Sequence, residues 1–315
     1  MRSVQSLLAL QSLPGIGQAK ARQLVGASEE PPGYDAALLN AKDALEREQD
    51  IGVAHIGYYD SKYPALLRCI PSPPLVLRVR GQVASLSQAA LAVVGTRKPT
   101  LFGLSAVEVV IAKIAAEGFG IVSGLALGID SAAHRAALKE GLTTVAVLGG
   151  GVERPYPAEN RALAEEILLS GGALVAEVAC GVTPSARTLV ARNRIQTGLA
   201  LAVFIGQTGL RGGTLHTARF AAEQGKPIWC PVPTPSGQAG AGLSALLELP
   251  ADSLPDRLPA FAGAKRLMGK LGAVPLARPL SREGLDAFLC ELRELGSALG
   301  YRSDSKGRLQ ISRSE

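Results

Sequence analysis

From residue 91 to residue 232 the chain alternates short apolar runs with stretches of helical spacing, and few folds accept that alternation. The runs are Leu91–Val94, Phe119–Val122, Thr144–Leu148, Ala173–Val178, Ala200–Ile205 and Pro227–Val232. Helices are predicted between them, near 103–117, 131–140, 159–170, 189–198 and 214–225. Neighbouring parallel strands need a crossover of about a dozen residues or more, and a helix supplies it. The runs are nearly continuous in apolar residues, as expected of strands covered on both faces. The pattern predicts an α/β chain: a doubly wound parallel sheet with helices on both sides. A hydrophobic content of 47% over 315 residues is enough for such a core, and the length suits two or three domains.

In an open parallel sheet, ligands bind beyond the carboxyl ends of the strands, so the residues after each run carry the argument. The first run is followed by Gly95-Thr96-Arg97-Lys98, the second by Ser123-Gly124 and then Gly128-Ile129-Asp130. The third is followed by Gly149-Gly150-Gly151, the fifth by a loop ending in Arg211-Gly212-Gly213-Thr214. Glycine lets backbone N–H groups approach an anion closely, and a helix start adds its dipole. Four such exits on one edge predict an anion site. A dinucleotide site would carry Gly-x-Gly-x-x-Gly after the first strand and an acid ending the second. Neither is present, so the fold is predicted to be Rossmann-like without the dinucleotide cofactor. The phosphate-loop signature Gly-x-x-x-x-Gly-Lys-Ser/Thr and the Gly-x-Ser-x-Gly nucleophile elbow are also missing from the sequence.

Charge placement points to the kind of anion. The net charge of +6 and pI near 9.2 favour polyanions only mildly. More telling is the stretch between Glu177 and Glu223, which holds no acid but has Arg187, Arg192, Arg194, Arg211 and Arg219. Guanidinium forks bind phosphate bidentately. Arg97, Arg192 and Arg211 all fall on the predicted ligand edge, which an ordinary solvated basic helix face would not require. Aromatic residues make up only 4% of the chain, so electrostatic contact is expected to outweigh stacking. Cys69, Cys180, Cys230 and Cys290, like the three histidines, are widely spaced; buried thiols are expected and no metal site. With no apolar stretch of about 18 residues and no cleavable leader, the chain reads as soluble and cytoplasmic, with no membrane contact.

The flanks differ in texture. Residues 1–50 read as a small helical domain. Its Leu13-Pro14-Gly15-Ile16-Gly17 turn, with Ala21 and Leu24, resembles a helix-hairpin-helix (SAM-like) element that either grips a DNA backbone or serves only as a packing unit. Residues 51–250 form the extended Rossmann-like domain, with further strands at Ile51–Tyr59 and Leu75–Arg80. A Pro- and Leu-rich linker to about 262 leads to a small C-terminal domain over 263–315. That domain reads as either a winged helix or an irregular helical cap, with a helix at Ser281–Leu295 and a hairpin around Asp304-Ser305-Lys306-Gly307.

Several motifs together resemble the DprA/Smf family of DNA-processing proteins. They are Asp60-Ser61-Lys62-Tyr63-Pro64 with Pro73-Pro74-Leu75-Val76-Leu77, Val93-Val94-Gly95-Thr96-Arg97, and Ser123 through Asp130 to His134. Gly149-Gly150-Gly151 with Tyr156-Pro157 and Asn160, and Arg192-Asn193-Arg194-Ile195, complete the set. The resemblance runs over roughly 50–235. It implies a protein of natural transformation that binds and protects incoming single-stranded DNA, helps load the RecA recombinase, and acts as a homodimer without cofactor or turnover. It further implies that Arg97 is the main phosphate clamp, that Gly95, Thr96, Lys98, Ser123, Gly124 and Gly128 assist it, and that Arg192, Asn193 and Arg194 continue the groove. Arg211, Gly212, Gly213 and Thr214 form the remaining expected contacts. The chain departs from the family pattern at Leu189-Val190-Ala191, where an aromatic residue and a proline are usual, and at Arg211 to Leu215.

A rival reading is enzymatic. Gly212-Gly213-Thr214 is similar to the loop of lonely-guy phosphoribohydrolases, nucleotide hydrolases of a related fold in which a catalytic glutamate follows. Here the corresponding position is His216, and the nearest acid is Glu223, so the expected general base is missing. A scaffold that has lost its ligand is a third reading, and the retained arginines speak against it.

Overall fold

A computed structural model describes residues 3–25, 30–233, 240–271, 274–281, 283–303 and 309–311. One sheet dominates, with strands β1 (Ala54–Gly57), β2 (Val76–Gly81), β3 (Ala90–Val94), β4 (Gly120–Ser123), β5 (Thr144–Leu148), β6 (Ala173–Ala176), β7 (Ala202–Ile205), β8 (Ile228–Pro231) and β9 (Arg278–Leu280). Their spatial order is β1-β2-β6-β5-β4-β3-β7-β8-β9. The seven strands from β6 to β9 pair in parallel, whereas β1 and β2 extend one edge in antiparallel fashion. The helices are α1 (Val4–Ser12), α2 (Gln18–Leu24), α3 (Tyr34–Asp50), α4 (Ala65–Arg68), α5 (Leu101–Ala115), α6 (Ile129–Lys139) and α7 (Arg161–Leu169). They continue with α8 (Ala186–Ala191), α9 (Asn193–Gly198), α10 (Thr214–Glu223), α11 (Ala241–Glu248), α12 (Leu254–Arg257), α13 (Lys265–Leu271) and α14 (Leu285–Ala298). No described helix is long and apolar enough to cross a membrane.

Period-two alternation along β3 divides the core. Leu91 and Val93 face one side, where they pack with Val107 and Ile111 of α5 and Ile129 of α6. Ala92 and Val94 face the other, against Leu215 and Ala218 of α10 and Leu243 of α11. Because both faces are covered, every residue of β3, β5 and β7 is buried. The chain builds outward from β3 through β4, β5 and β6, then crosses back to lay β7 on the other side of β3. Beyond the carboxyl ends of β3 and β7 the connections diverge and leave a crevice.

The tail is more tightly joined than its composition implies. Leu254, Leu258 and Phe261, in the stretch read as a linker, are buried in the same cluster as Ala218 and Leu243. Their spacing is that of a helical stripe, and Pro255 sits in the first turn of α12, where a proline costs no hydrogen bond. Residues 278–280 add β9 to the main sheet, and α14 sends Phe288 and Leu292 into the cluster that holds Phe119 and Phe204. Thus 263–315, expected as a small separate domain, contributes to the central core. Strands β10 (Tyr301–Ser303) and β11 (Leu309–Ile311) pair as a hairpin, while the Asp304–Gly307 turn read from the sequence lies outside the described residues. The expectation of buried thiols holds only for Cys230. Cys69 and Cys290 are exposed and Cys180 is half-buried.

A buried carboxylate attaches the N-terminal helices. Glu48, near the end of α3, accepts two bonds from Arg78 Nε of β2 at 3.0 and 2.7 Å. It also accepts the Cys180 N–H at 2.8 Å and lies 2.5 Å from His55 Nε2. Arg78 Nη1 in turn donates to the Glu177 carbonyl at 2.9 Å. Burial alone would raise the Glu48 carboxyl, but the bonds from His55, Cys180 and Arg78 together with the Arg78 charge outweigh it and lower it to about 2. Glu48→Ala leaves the buried Arg78 unpaired and should cost about 3–5 kcal/mol in urea unfolding. Because the folded value lies below the ordinary 4.5, the carboxylate's contribution is complete above that pH and is lost as pH falls towards 2. The stability gap between wild type and variant should therefore narrow over that acid range.

Candidate nucleic-acid interface

The crevice at the β3/β7 divide is a groove of about 710 Å³. Its walls come from the β3 exit (Gly95 to Lys98), the α8–α9 segment and the start of α10 (Gly212 to Thr217). An adjoining chamber of about 390 Å³ opens towards Arg154, Tyr156 and Arg161. Arg97 and Arg192 line both spaces.

Beneath the groove lies an ion pair. Asp130, in the first turn of α6, is 5% exposed, and the backbone amides of Ala126, Gly124 and Gly95 favour its charged form. Arg192 faces it, Nη2 to Oδ2 at 3.8 Å, and is 8% exposed. The same guanidinium donates through Nη1 to the Val147 carbonyl and through Nε to Leu189 O at 3.3 Å. Burial pushes the Asp130 carboxyl up, against the pull of Arg192 and the three amides; burial likewise pushes Arg192 down. Two glycines exist for this packing. A Cβ on Gly124 would run into the Arg192 guanidinium. Gly128 has φ +81° and lies against the Thr96 carbonyl, which also accepts the Ile129 N–H at 3.1 Å.

The strand-exit loops are braced against one another. Gln207, after β7, accepts the Thr96 N–H at its carbonyl (2.8 Å) and the Thr100 N–H at Oε1 (2.8 Å). Asn160 donates to the Leu125 carbonyl at 2.8 Å, tying the β5 exit to the β4 exit. Leu125 itself has a left-handed backbone, φ 60°, which such bracing sustains. The loop carrying Arg97 is thus held at both ends by polar contacts to its neighbours.

The residues expected to touch a ligand therefore divide into two groups. Arg97, Lys98 and Arg211 are exposed, and none makes an ion pair among the described residues. Thr96, Asn193, Gly212, Gly213 and Thr214 line the groove. By contrast, Ser123 is fully buried and its hydroxyl donates to the Val93 carbonyl at 2.6 Å. The backbone amides of Gly95 and Gly124 favour the charge of Asp130, and Arg192 faces the same carboxylate. Arg194 does not line the groove; it pairs with Glu177 at 2.6 Å and donates to Ser72 O at 2.9 Å. Sequence spacing shows arginines but not their internal partners. Arg154, Arg161 and the half-exposed Tyr156 line the second chamber; Tyr156 belongs to the Tyr156-Pro157 motif, but no sequence pattern marks the two arginines as contacts. In the helix-hairpin-helix-like element, Gln18 at the start of α2 donates to Glu177 and Arg22 to Ser72, so that edge is docked on the body of the protein.

A family model described as DNA recombination-mediator protein A matches residues 54–257. The chain belongs to that family. The recombination-mediator match covers the whole strand-exit region and the Arg192-Asn193-Arg194 segment. Among relatives, the Smf protein of Synechocystis is 32% identical over 273 residues, covering 85% of this chain and 65% of that one. The Smf protein of Escherichia coli is 39% identical over 179 residues, 57% of this chain and 48% of its own. This family member thus spans about half to two thirds of the length of those relatives. The structure of DNA processing protein A from Streptococcus pneumoniae superposes with a TM-score of 0.61 at 27% identity, covering 78% of this chain and 93% of that one. The Helicobacter pylori protein, described with a single-stranded DNA binding mode, gives 0.61 at 23% identity over 77% and 96% and shares the fold.

The two groups of arginines should respond differently to truncation. Arg192→Ala strands the buried Asp130 carboxylate and should cost about 3–5 kcal/mol. Arg97→Ala, on the surface, should stay within about 0.5 kcal/mol. Paired urea titrations read both.

Proposed function

We propose that this chain binds single-stranded DNA by its phosphates, along the groove at the β3/β7 divide, and does no chemistry on it. The observation that carries the proposal is the rim of cations without acidic partners. Arg97 and Lys98 of the groove and Arg154 and Arg161 of the chamber are exposed and make no ion pair among the described residues; Arg211, exposed and likewise without an ion pair among them, immediately precedes the lining residue Gly212. Arg97 lies where the two chambers meet and is the principal clamp. Gly212 and Gly213 form the facing wall, Asn193 and Thr214 part of the floor. Gly95, Thr96, Ser123, Gly124, Gly128 and Arg192 set the loops that aim the cations, and Arg194 anchors α9. The half-exposed Tyr156 ring offers a stacking face between the chambers. The Streptococcus pneumoniae and Helicobacter pylori relatives support the reading, the latter through the single-stranded DNA it is described as binding.

Absence of turnover is supported by the groove's chemistry. Among the described lining residues of the larger groove the one carboxylate is Asp130, buried against Arg192; the adjoining chamber adds Glu153, whose Oε1 accepts the Gly181 N–H at 2.8 Å, and Glu159 on its outer lip. His216, where a hydrolase would place its glutamate, is not a lining residue. Release of free base from nucleoside monophosphates would overturn this part. Loading of RecA, action as a homodimer and a cytoplasmic setting come with the family and belong to the same proposal, as does use of 1–50 and 263–315 as accessory units.

In a competition gel shift, unstructured single strands should displace duplex, because a curved groove of side-chain cations follows a flexible backbone; equal affinity would count against the proposal. Affinity should fall steeply with salt as counterions are released. Arg97→Ala should weaken binding to all sequences alike and reduce the salt slope by about 1.

A further inference from the structure

The groove is chemically two-tiered. Its rim carries the cations named above, but its floor is neutral. Asn193 and Gln196 stand three apart on α9 and share one face; Thr214 and Thr217 stand three apart on α10 and do the same. All four are buried, at 8%, 1%, 8% and 2% exposure. The Gln196 Nε2 makes no hydrogen bond among the described residues. A carboxamide nitrogen without a partner is costly in a protein interior, and this one lies just beneath the surface of a groove that its residue helps to line. Leu189, Val190 and Val94 supply the apolar part of the same surface.

A phosphate has little to gain from that floor, which offers no free cation. A nucleobase fits it: a flat, partly apolar body whose edge presents donors and acceptors together, the pattern a carboxamide matches. The groove volume, about 710 Å³, is that of a site that encloses a small organic group. We infer that Gln196 receives the edge of a nucleobase from the bound strand, so that the floor between α9 and α10 is a base subsite beneath a phosphate-binding rim. The inference rests on the single-strand reading above and adds a contact which that reading does not contain.

The test is a low-salt fluorescence titration of the full chain and of Gln196→Leu. Each is titrated with oligo-dT, oligo-dA and an abasic strand of equal length. Wild type should prefer the base-bearing strands about tenfold or more, the worth of one well-placed base contact. Gln196→Leu should lower that ratio about tenfold, leaving only the share that stacking on Tyr156 supplies, and leave affinity for the abasic strand unchanged. If wild type binds abasic and base-bearing strands alike, the base subsite is overturned while phosphate binding stands. A ratio unaltered in a folded Gln196→Leu variant overturns it too. Binding of neither kind of strand overturns both readings. The wild-type comparison stands even if the variant does not fold.

Discussion

The Asp130–Arg192 pair fixes the ligand edge of this protein. A carboxylate in the first turn of a helix is favoured by the helix dipole, but burial to 5% exposure demands direct partners. It finds them in the amides of Gly95, Gly124 and Ala126 and in one guanidinium. In nucleotide-binding relatives of this architecture such amides face a ligand phosphate. Here an internal anion already occupies them. An external polyanion must then be met farther out, by side chains, and that is where Arg97 and Lys98 stand. The same pair accounts for the glycine at 124, since the guanidinium lies where its side chain would be.

Strand exits and their chemistry were legible because both follow from local rules. Continuous apolar runs mean strands covered on both faces, and the observed β3 to β8 fall within two residues of the runs at each end. Glycine clusters mark places where the backbone must turn or come close. Which amides and guanidinium groups are free was not legible, since that is decided by partners distant in sequence. Arg192 looks like a phosphate ligand until Asp130 is placed beside it, and Arg194 until Glu177 is. The helical stripe of Leu254, Leu258 and Phe261 was hidden by the prolines around it, which made a buried segment read as a linker. Tyr156 and Arg161 needed the fold to bring the β5 exit towards Arg97.

Bracing among the loops matters as much as their composition. Gln207 and Asn160 span four strand exits, so the cations on those loops are carried on a surface that has little freedom left to lose. Pre-ordering of that kind raises affinity without adding a contact.

The parallel pairing of β9 with β8 has a further meaning. Residues 278–280 shield the polar backbone of β8, which would otherwise stand as an open, buried-type strand at the rim of the sheet. Trp229 lies in that strand, packed edge-on against Phe288 of α14 at 5.2 Å between ring centroids. A chain shortened before this segment would bare both the strand and the indole and invite pairing between molecules. Residues 278–280 and α14 thus guard the sheet edge against aggregation, and any further role of this region is better probed by single substitutions on the outer face of α14 than by cutting it away.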